Sequence, residues 1–600
     1  MPKWSLRGCA SAVVLVLASA AAAPVMGADN PEQPAPDKAE LEAQPPLSAH
    51  TGESGLPLSA VQQAMDTPHL ALTIAVHPET HSIEGLADYT VRALSSLSAV
   101  EFDLDPRFSI TAISVNGEAL ASSAWRNPEG RMTIRLPRAV AKGGEVHIAI
   151  HYAGKPFVAP RAPWEGGIVW ATAKDAAGTD QPWIATAVQG QGCDLFWPCL
   201  DHYSKRVGVL DFTIDVPAPL IAAANGKLID TREENGRRVW HWRARTPNDY
   251  GVSLQIGPYE LTETAYVSRF GNTIPLKFWY LPGDRQGAED MLAQMHDFLD
   301  FFESTVGPYP WGDEKVGLVE TPHLGMEHQT INAYGNHFKP SPEGYDWLMH
   351  HEFSHEWFAN QLTNARNADM WLQEGFASYM QPLYLRWKQG ELNYHAALWD
   401  VRKKVVSKVP LAPDGEIPST AYNDRDMGWG ADIYYKGTWI LHTLRLAMGD
   451  ADFYRSMRLL TYGRDDPRPG NFAHQLATTR DYQRIVEQVT GRKWGWFFDA
   501  YFRAAPLPKL DVNRQGRQLS LVWRTGASQP FLLPVDVQVG DTLHTVVMTD
   551  GKGTLELPDA DAYYVIDPQA KILRDDPAIT RWQAFEKAED DRKAAEAAKK

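Results

Sequence analysis

The chain has 600 residues, too many for one hydrophobic core, so three or four domains are expected. Hydrophobic residues make up 44% of the chain and charged residues 22%, which are ordinary proportions for a soluble globular protein. The formal net charge of −16 argues against a nucleic-acid partner, because binding to phosphates needs a basic surface.

The amino-terminal segment has the pattern of a secretory signal peptide. Lys3 and Arg7 precede an apolar run over residues 9–23, and small residues follow it. The run is too short to cross a membrane and no later stretch approaches the required length, so we expect no membrane span. A lipid anchor on Cys9 is the alternative, but this cysteine precedes the apolar run instead of following it. The sequence therefore predicts a signal peptide over residues 1–28 and a periplasmic or secreted protein.

The next segment, residues 29–58, is rich in Pro, Ala, Glu and Ser. Such a composition buries too little apolar surface to offset the entropy that is lost on ordering. A disordered, proline-rich linker is therefore predicted for this segment.

From residue 59 to residue 261, apolar and polar residues alternate, and Gly, Pro and Asn separate the alternating stretches. This pattern predicts a large antiparallel β domain. Residues 187–201 break the alternation, and their glycines and polar side chains favour a structured loop. The loop contains Cys193 and Cys199, which remain after removal of a signal peptide. A disulfide and two buried thiols are both compatible with the sequence.

The remaining chain divides into three segments by periodicity. Residues 262–506 have helical periodicity, with residues 291–302 as a clear amphipathic example, and two short strands come first. Alternation returns over residues 507–576 and predicts a small β-sandwich. The charged, alanine-rich residues 577–600 predict a solvated tail. The predicted fold class is therefore multidomain α+β.

The clearest chemistry lies in a His-Glu-Phe-Ser-His motif at residues 351–355. Positions i and i+4 of a helix share one face, so His351 and His355 can bind one metal ion. Glu374, nineteen residues after His355, supplies a carboxylate as a third ligand. Two imidazoles and one carboxylate leave a fourth position for water, which is the composition of a catalytic zinc site. Glu352 lies on the same turn and is the candidate general base.

The metal-binding helix is predicted to begin at Ser341-Pro342, which offers an N-cap and a first-turn proline. A buried amphipathic helix with two chance histidines is the alternative interpretation. The additional glutamate at position 374 argues against such a coincidence.

These motifs resemble those of the gluzincin zinc aminopeptidases, the family of aminopeptidase N and leukotriene hydrolase. The resemblance extends over about residues 65–570. The eighteen residues between His355 and Glu374 are the family's spacing, and residues 357–360, Trp-Phe-Ala-Asn, continue the motif. The resemblance implies a thermolysin-like catalytic domain over residues 262–506. It also implies one Zn²⁺ per chain, with His351, His355 and Glu374 as ligands and Glu352 as the base.

A second motif, Leu324-Gly325-Met326-Glu327-His328, is similar to the family's Gly-Ala-Met-Glu-Asn strand. In the family the glutamate binds the free amino terminus of the substrate, and the strand backbone pairs with the peptide. The resemblance therefore assigns substrate binding to Gly325, Met326 and Glu327. A carboxylate at a fixed distance from the zinc would admit only the first peptide bond. Leu324 and His328 depart from the family's glycine and asparagine.

Two further motifs complete the resemblance. Residues 434–437, Tyr-Tyr-Lys-Gly, match the family's Tyr-x-Lys-Gly, whose tyrosine stabilises the oxyanion. Spacing from the lysine selects Tyr434 over Tyr435, and a phenol can donate to developing charge without competing for the metal. The loop at residues 189–191 resembles a family loop that helps to bind the amino terminus, and Gln191 is the matching position.

Together these residues predict a zinc-dependent aminopeptidase that acts on peptides with a free amino terminus. A thermolysin-like endopeptidase is one alternative, but it gives Glu327 no role. A catalytically silent peptide-binding module and an epoxide hydrolase are the others, although ligands, base and tyrosine are all present and nothing indicates a lipid tunnel. Many family members carry a long C-terminal helical domain over the active site. This chain ends soon after the predicted sandwich, so we expect a more open cleft.

Overall fold

The computed structural model describes residues 38–423, 428–470 and 472–597. The predicted signal peptide and the first part of the predicted linker lie outside these residues. Within the described ranges, no helix has both the length and the apolar character that a membrane crossing requires.

The first part of the described chain consists mainly of β-strands. Two short helices and fifteen strands have these bounds: α1 Lys38–Ala43, α2 Ala60–Gln63, β1 Met65–His77, β2 Ser82–Ala93, β3 Leu97–Asp103, β4 Ser109–Val115, β5 Glu118–Ala119, β6 Trp125–Arg126, β7 Arg131–Val140, β8 Glu145–Gly154, β9 Gly167–Lys174, β10 Asp180–Ala187, β11 Val209–Pro217, β12 Ile221–Ala223, β13 Lys227–Glu234, β14 Arg237–Arg245 and β15 Gln255–Gly257.

These strands form three sheets. The largest has eight strands in the order β13-β14-β11-β1-β2-β8-β4-β5, and the others have the orders β12-β15-β10-β9 and β3-β7-β6. The pairs are antiparallel except for β1 and β11, which run parallel. In β1 every second side chain from Leu70 to Val76 is buried, as the period-two pattern predicts. The prediction of a β-rich amino-terminal region is confirmed.

The middle of the chain combines a five-stranded sheet with helices. Its elements are β16 Glu260–Val267, β17 Thr273–Tyr280, α3 Arg285–Thr305, β18 Val316–Glu320, β19 Gly325–Met326, β20 Asn332–Tyr334, α4 Trp347–Ser354, β21 Leu362–Asn364, α5 Trp371–Gln389, α6 Glu391–Arg402, α7 Trp429–Asp432, α8 Tyr435–Met448, α9 Asp450–Tyr462, β22 Gln475–Ala477, α10 Thr479–Thr490 and α11 Gly495–Phe498. The sheet has the order β16-β17-β18-β20-β19, so β19 is an edge strand. Its free edge can pair with an extended chain.

The start of the metal-motif helix differs from the prediction. Helix α4 begins at Trp347, not at Ser341, and Asp346 is its N-cap. The Asp346 carboxylate accepts a hydrogen bond of 2.8 Å from Met349 N. It also accepts one of 2.6 Å from the hydroxyl of Tyr334 in β20. Asp346 therefore caps the helix and ties it to the sheet, which the local pattern at Ser341 could not reveal.

The last part of the described chain forms two small sheets and a long helix. The elements are β23 Lys509–Gln515, β24 Gln518–Arg524, β25 Val535–Val539, β26 Thr542–Val546, β27 Lys552–Glu556, β28 Tyr564–Ile566 and α12 Pro577–Ala597. The sheets have the orders β23-β24-β27 and β26-β25-β28. Their buried residues join the core of the helical region in one cluster. The predicted multidomain α+β fold class is thereby confirmed, while the exact domain boundaries stay predictions.

The segment that precedes the sheets is ordered, contrary to the prediction of a disordered linker. We call residues 44–58 the N-terminal strap. The Gln44 amide exchanges two hydrogen bonds with the backbone of Val158, at 3.1 and 3.0 Å. His50 Nε2 lies 2.7 Å from Asp103 Oδ1. The prediction was wrong for residues 38–58 because it counted apolar burial alone, whereas polar contacts hold the strap in place.

Candidate metal centre

Three side-chain atoms from two helices meet at one point, as the motif predicts. His351 Nε2 and His355 Nε2 lie 3.1 Å apart. Each lies 3.4 Å from Glu374 Oε2. Bonds of about 2.0–2.2 Å from a tetrahedral zinc would place its ligand atoms roughly 3.3 Å apart. The three atoms therefore have the spacing of a zinc ligand set.

Two helices that pack against each other position these atoms. His351 lies in the last turn of α4, and His355 follows as its C-cap. Glu374 lies in the first turn of α5, which packs against α4. Beyond His355 the chain turns sharply at Phe358, and the Phe358 carbonyl lies 3.1 Å from His355 Nδ1. That carbonyl can only accept, so Nδ1 of His355 carries a proton and Nε2 is the atom that can bind a metal.

The electrostatics of the cluster favour a bound cation. Glu374 Oε2 is buried and has no hydrogen-bond donor among the described residues. Burial alone would raise the pKa of Glu374, but His355 and His351 lower it to about 2. Burial opposes the charging of His355 as well, yet the Glu374 carboxylate raises the pKa of His355 to about 10. The cluster thus stabilises one positive charge, which a divalent metal would supply once the proton on His355 Nε2 is released.

Glu352, the candidate base, is buried beside the ligands without joining them. One of its carboxylate oxygens lies within 4.8 Å of ligand atoms of His355 and Glu327. Burial first, and then the charge of Glu327, raise the pKa of Glu352 well above its ordinary value. A Cβ on Gly325 would lie 2.5 Å from Glu352 Oε1. A side chain at position 325 would therefore require this carboxylate to shift from its present position.

Glu327 follows the edge strand β19. Together with His351, His355 and Glu374 it lines one cavity, which we call the active-site cavity or simply the cavity. Glu327 Oε1 accepts hydrogen bonds from Gln189 Nε2 at 2.6 Å and from the Tyr250 hydroxyl at 2.9 Å. Asn360 Nδ2, from the segment that follows α4, donates to the Glu327 carbonyl at 3.0 Å. These contacts fix the carboxylate, whose pKa burial raises. Met326 also lines the cavity and packs into the core of the β region.

The assignment of Gln191 to this site is wrong. Gln189 contacts Glu327, whereas Gln191 turns away and accepts a hydrogen bond of 2.7 Å from Gly166 N. Glutamines two positions apart in an irregular loop carry no periodicity that tells which one faces the cavity. Tyr250 was missed altogether, because it lies far from the motifs in the sequence and belongs to none of them.

Tyr434 lines the cavity, and its ring centroid lies 6.0 Å from that of His351. Burial, and then Glu374, raise its pKa well above the ordinary value, so the phenol keeps the proton that it can donate. Tyr435 lies instead against Lys404, whose Nζ is 5.2 Å from its ring centroid. The geometry agrees with the choice of Tyr434 over Tyr435.

The two departures from the family motif have different surroundings. The side chain of Leu324 lines the cavity. His328 is fully buried, and its Nδ1 lies 3.2 Å from Gln255 Nε2, outside the residues that line the cavity. Burial lowers the pKa of His328 well below its ordinary value, so it is neutral. This replacement therefore adds no charge beside Glu327.

Comparisons with known proteins agree with this geometry. Residues 299–501 match the Peptidase family M1 domain. The leukotriene A-4 hydrolase of Xenopus laevis is 21% identical over 522 residues, which cover 84% of this chain and 78% of that protein. Aminopeptidase B of Mus musculus is 27% identical over 219 residues, 36% of this chain and 32% of that protein. The chain thus spans about a third of the length of that second relative.

Solved structures give the same result for the fold. An M1 zinc metallopeptidase variant from Deinococcus radiodurans, crystallised with a Tyr-Ser-Ala substrate, is 25% identical with a TM-score of 0.62. The match covers 76% of this chain and 98% of that one. A two-domain M1 zinc metallopeptidase variant bound to L-tryptophan has a TM-score of 0.63 at 24% identity, with the same coverage.

Proposed function

We propose that this chain, a member of the gluzincin zinc aminopeptidases, removes the first residue from peptides that have a free amino terminus. His351, His355 and Glu374 would hold one zinc ion. When bound there, zinc would polarise both a water molecule and the carbonyl group of the first peptide bond.

The residues around the ligands have separate tasks in this reaction. Glu352 accepts a proton from the attacking water and passes it to the departing amine. The Tyr434 hydroxyl donates to the carbonyl oxygen as that atom gains negative charge. The edge strand at Gly325 and Met326 pairs with the peptide backbone and fixes its direction.

The observation that carries the proposal is the position of Glu327. Its carboxylate lies in the same cavity as the zinc ligands and is fixed by Gln189 and Tyr250. A buried carboxylate so close to the reacting bond can pair with the substrate's ammonium group. A peptide bound through an internal segment would instead place a neutral amide, not an ammonium group, against Glu327. The site therefore admits the end of a peptide and disfavours its middle.

The test compares one short peptide with its N-acetylated copy, each with and without a chelator. We expect release of the first residue from the free peptide only, and loss of that activity on chelation with recovery on addition of zinc. Cleavage of both peptides would indicate an endopeptidase. Cleavage of neither by the zinc-loaded protein would refute the proposal.

We also propose that the protein is exported to the periplasm or secreted. The amino-terminal pattern at residues 1–28 supports this. The disulfide between Cys193 and Cys199 supports it too, because disulfides persist in oxidising compartments. Cell fractionation with a cytoplasmic marker tests the proposal, and recovery of the full-length chain in the cytoplasm would contradict it.

A further inference from the structure

One charged residue of the cavity has no part in the reaction described above. Among the described residues that line the cavity, Arg161 is the only lysine or arginine, against the three carboxylates of Glu327, Glu352 and Glu374. It belongs to the β region and precedes β9. Pro163 and Trp164, from the same turn, line the cavity beside it.

Arg161 sits on a short hairpin whose position is fixed relative to Glu327. Backbone hydrogen bonds of 3.4 and 2.9 Å join Arg161 and Glu165 across the hairpin. At its base, Gly166 N donates to Gln191 Oε1 at 2.7 Å. Gln191 belongs to the same loop as Gln189, which donates to Glu327. The loop over residues 189–191 therefore connects the hairpin that carries Arg161 with Glu327, the proposed binding partner of the substrate's amino terminus.

The guanidinium of Arg161 can exchange its present partner, Glu165, for another carboxylate. It pairs with Glu165 Oε1 at 3.0 Å, and its Cζ lies 5.7 Å from the ring centroid of Trp164. The side chains of Arg161 and Glu165 are 34% and 44% exposed, and ion pairs with this much solvent contact contribute little to stability. Only Nε and Nη2 of Arg161 contact Glu165, while Nη1 has no partner among the described residues. A substrate carboxylate can replace Glu165 and use the planar fork more fully.

We propose that Arg161 is a second substrate anchor that binds a carboxylate of the peptide. The carboxylate comes from the carboxyl terminus of a short peptide or from an acidic side chain. This inference rests on the proposed function and deepens it: Glu327 binds the ammonium group, and Arg161 binds a negative charge elsewhere on the same substrate. Trp164 holds the guanidinium in place, and Gln191 fixes the hairpin as a positioning residue.

The test uses the zinc-loaded full chain and four peptides with free amino termini. Leu-Gly-Gly is compared with its carboxyl-terminal amide, and Leu-Glu-Gly-amide with Leu-Gln-Gly-amide. Hydrolysis gives kcat/KM for each peptide. Calorimetry with the Glu352→Gln variant gives the corresponding dissociation constants without turnover. The first pair reports on a terminal carboxylate and the second pair on an acidic side chain.

We expect about a tenfold preference for the carboxylate member of at least one pair, because a charge-assisted pair is lost in the other member. Arg161→Gln should abolish that preference. Glu165→Gln should increase it, because the competing carboxylate is gone. Arg138→Gln, which removes the same charge from an exposed position on β7, should behave as the native chain does.

The results that would overturn the inference are equal binding of both members of both pairs, or a preference that survives Arg161→Gln. The same experiment distinguishes failure of the Arg161 anchor from failure of the proposed aminopeptidase function. If no peptide is hydrolysed but calorimetry shows a preference that requires Arg161, the anchor stands and the aminopeptidase assignment fails. If hydrolysis proceeds without any carboxylate preference, the anchor fails alone.

Discussion

A carboxylate that takes a proton from water must lie beside the metal without binding it. Glu352 occupies such a position because it follows His351 in α4 and because Gly325 leaves room for its oxygen. Burial raises its pKa, and a dication at the neighbouring ligands would lower that pKa again, so that the carboxylate form becomes available. The role of this residue therefore depends on the metal, and its present position depends on the space beside Gly325.

Replacing Glu352 by Gln removes the base but preserves the size of the side chain. We expect the variant to bind one zinc per chain and to lose activity by about 10²–10⁴-fold, the usual contribution of a general base. Metal analysis together with kcat on a free peptide checks this. Activity close to that of the native chain would remove Glu352 from the mechanism.

The Gly325→Ala substitution tests the space that Glu352 needs. The added Cβ would lie 2.5 Å from Glu352 Oε1 and 2.7 Å from Leu348 Cδ1. We expect kcat to fall by roughly two- to fivefold, because the added methyl group displaces the end of the Glu352 side chain from its present position. Gly415→Ala is the matched control, since a Cβ there meets nothing within 4 Å. Equal kinetics in the two variants would show that the contact does not matter.

Among the elements, the N-terminal strap differs most from what the sequence predicts. Ser54 is buried, and its backbone N–H lies 3.3 Å from the Gly190 carbonyl and 3.1 Å from Ser419 Oγ. Ser419 Oγ donates to the same carbonyl at 2.7 Å. Gly190 and Ser419 both line the cavity. The strap therefore holds together two parts of the cavity wall that belong to different regions of the chain.

The strap can be tested through Ser54, whose hydroxyl donates to Asp201 Oδ1 at 2.9 Å. Ser54→Ala leaves this half-buried carboxyl group without that partner, so we expect a loss of about 1 kcal/mol in the free energy of unfolding. Urea titration measures it. Ser109→Ala, at an exposed position in β4, should change the value by less than about 0.5 kcal/mol. If the strap were disordered, neither substitution would change the free energy of unfolding.

Local sequence patterns predicted those features of the protein that depend on local spacing. The helical i, i+4 relation brought His351 and His355 together, and alternation predicted the β-rich region. Contacts between distant segments were missed, because no periodicity joins Gln189, Tyr250 and Glu327. The order of the strap was missed for the same reason, since its partners lie far along the chain.

The stability of the whole molecule should depend on pH through its buried carboxyl groups. Burial is the main cause that raises the pKa values of Asp201 and Glu320 to about 8. In the unfolded chain these groups titrate near about pH 4, so the native state binds extra protons between about pH 4 and 8. Stability therefore falls as the pH rises through this window. Buried histidines such as His442, whose pKa burial lowers to about 3, oppose this only below about pH 6.5.

We expect the free energy of unfolding of the zinc-loaded chain to decrease between about pH 6.5 and 8. Urea titrations at several pH values measure it, and Glu320→Gln should reduce the slope. A free energy of unfolding that rises steadily over this range would contradict the assignment of protonated buried carboxyls.

We expect Glu327, which side chains of the β region hold in place, to confine hydrolysis to the amino terminus of a peptide. The most direct measurement is the ratio of kcat/KM for a free peptide to that for its N-acetylated copy, in the native chain and in Glu327→Gln. We predict a ratio that falls by at least about tenfold in the variant, because the charge-assisted contact to the ammonium group is lost while the zinc ligands remain. An unchanged ratio, with zinc still bound, would show that Glu327 does not select the amino terminus.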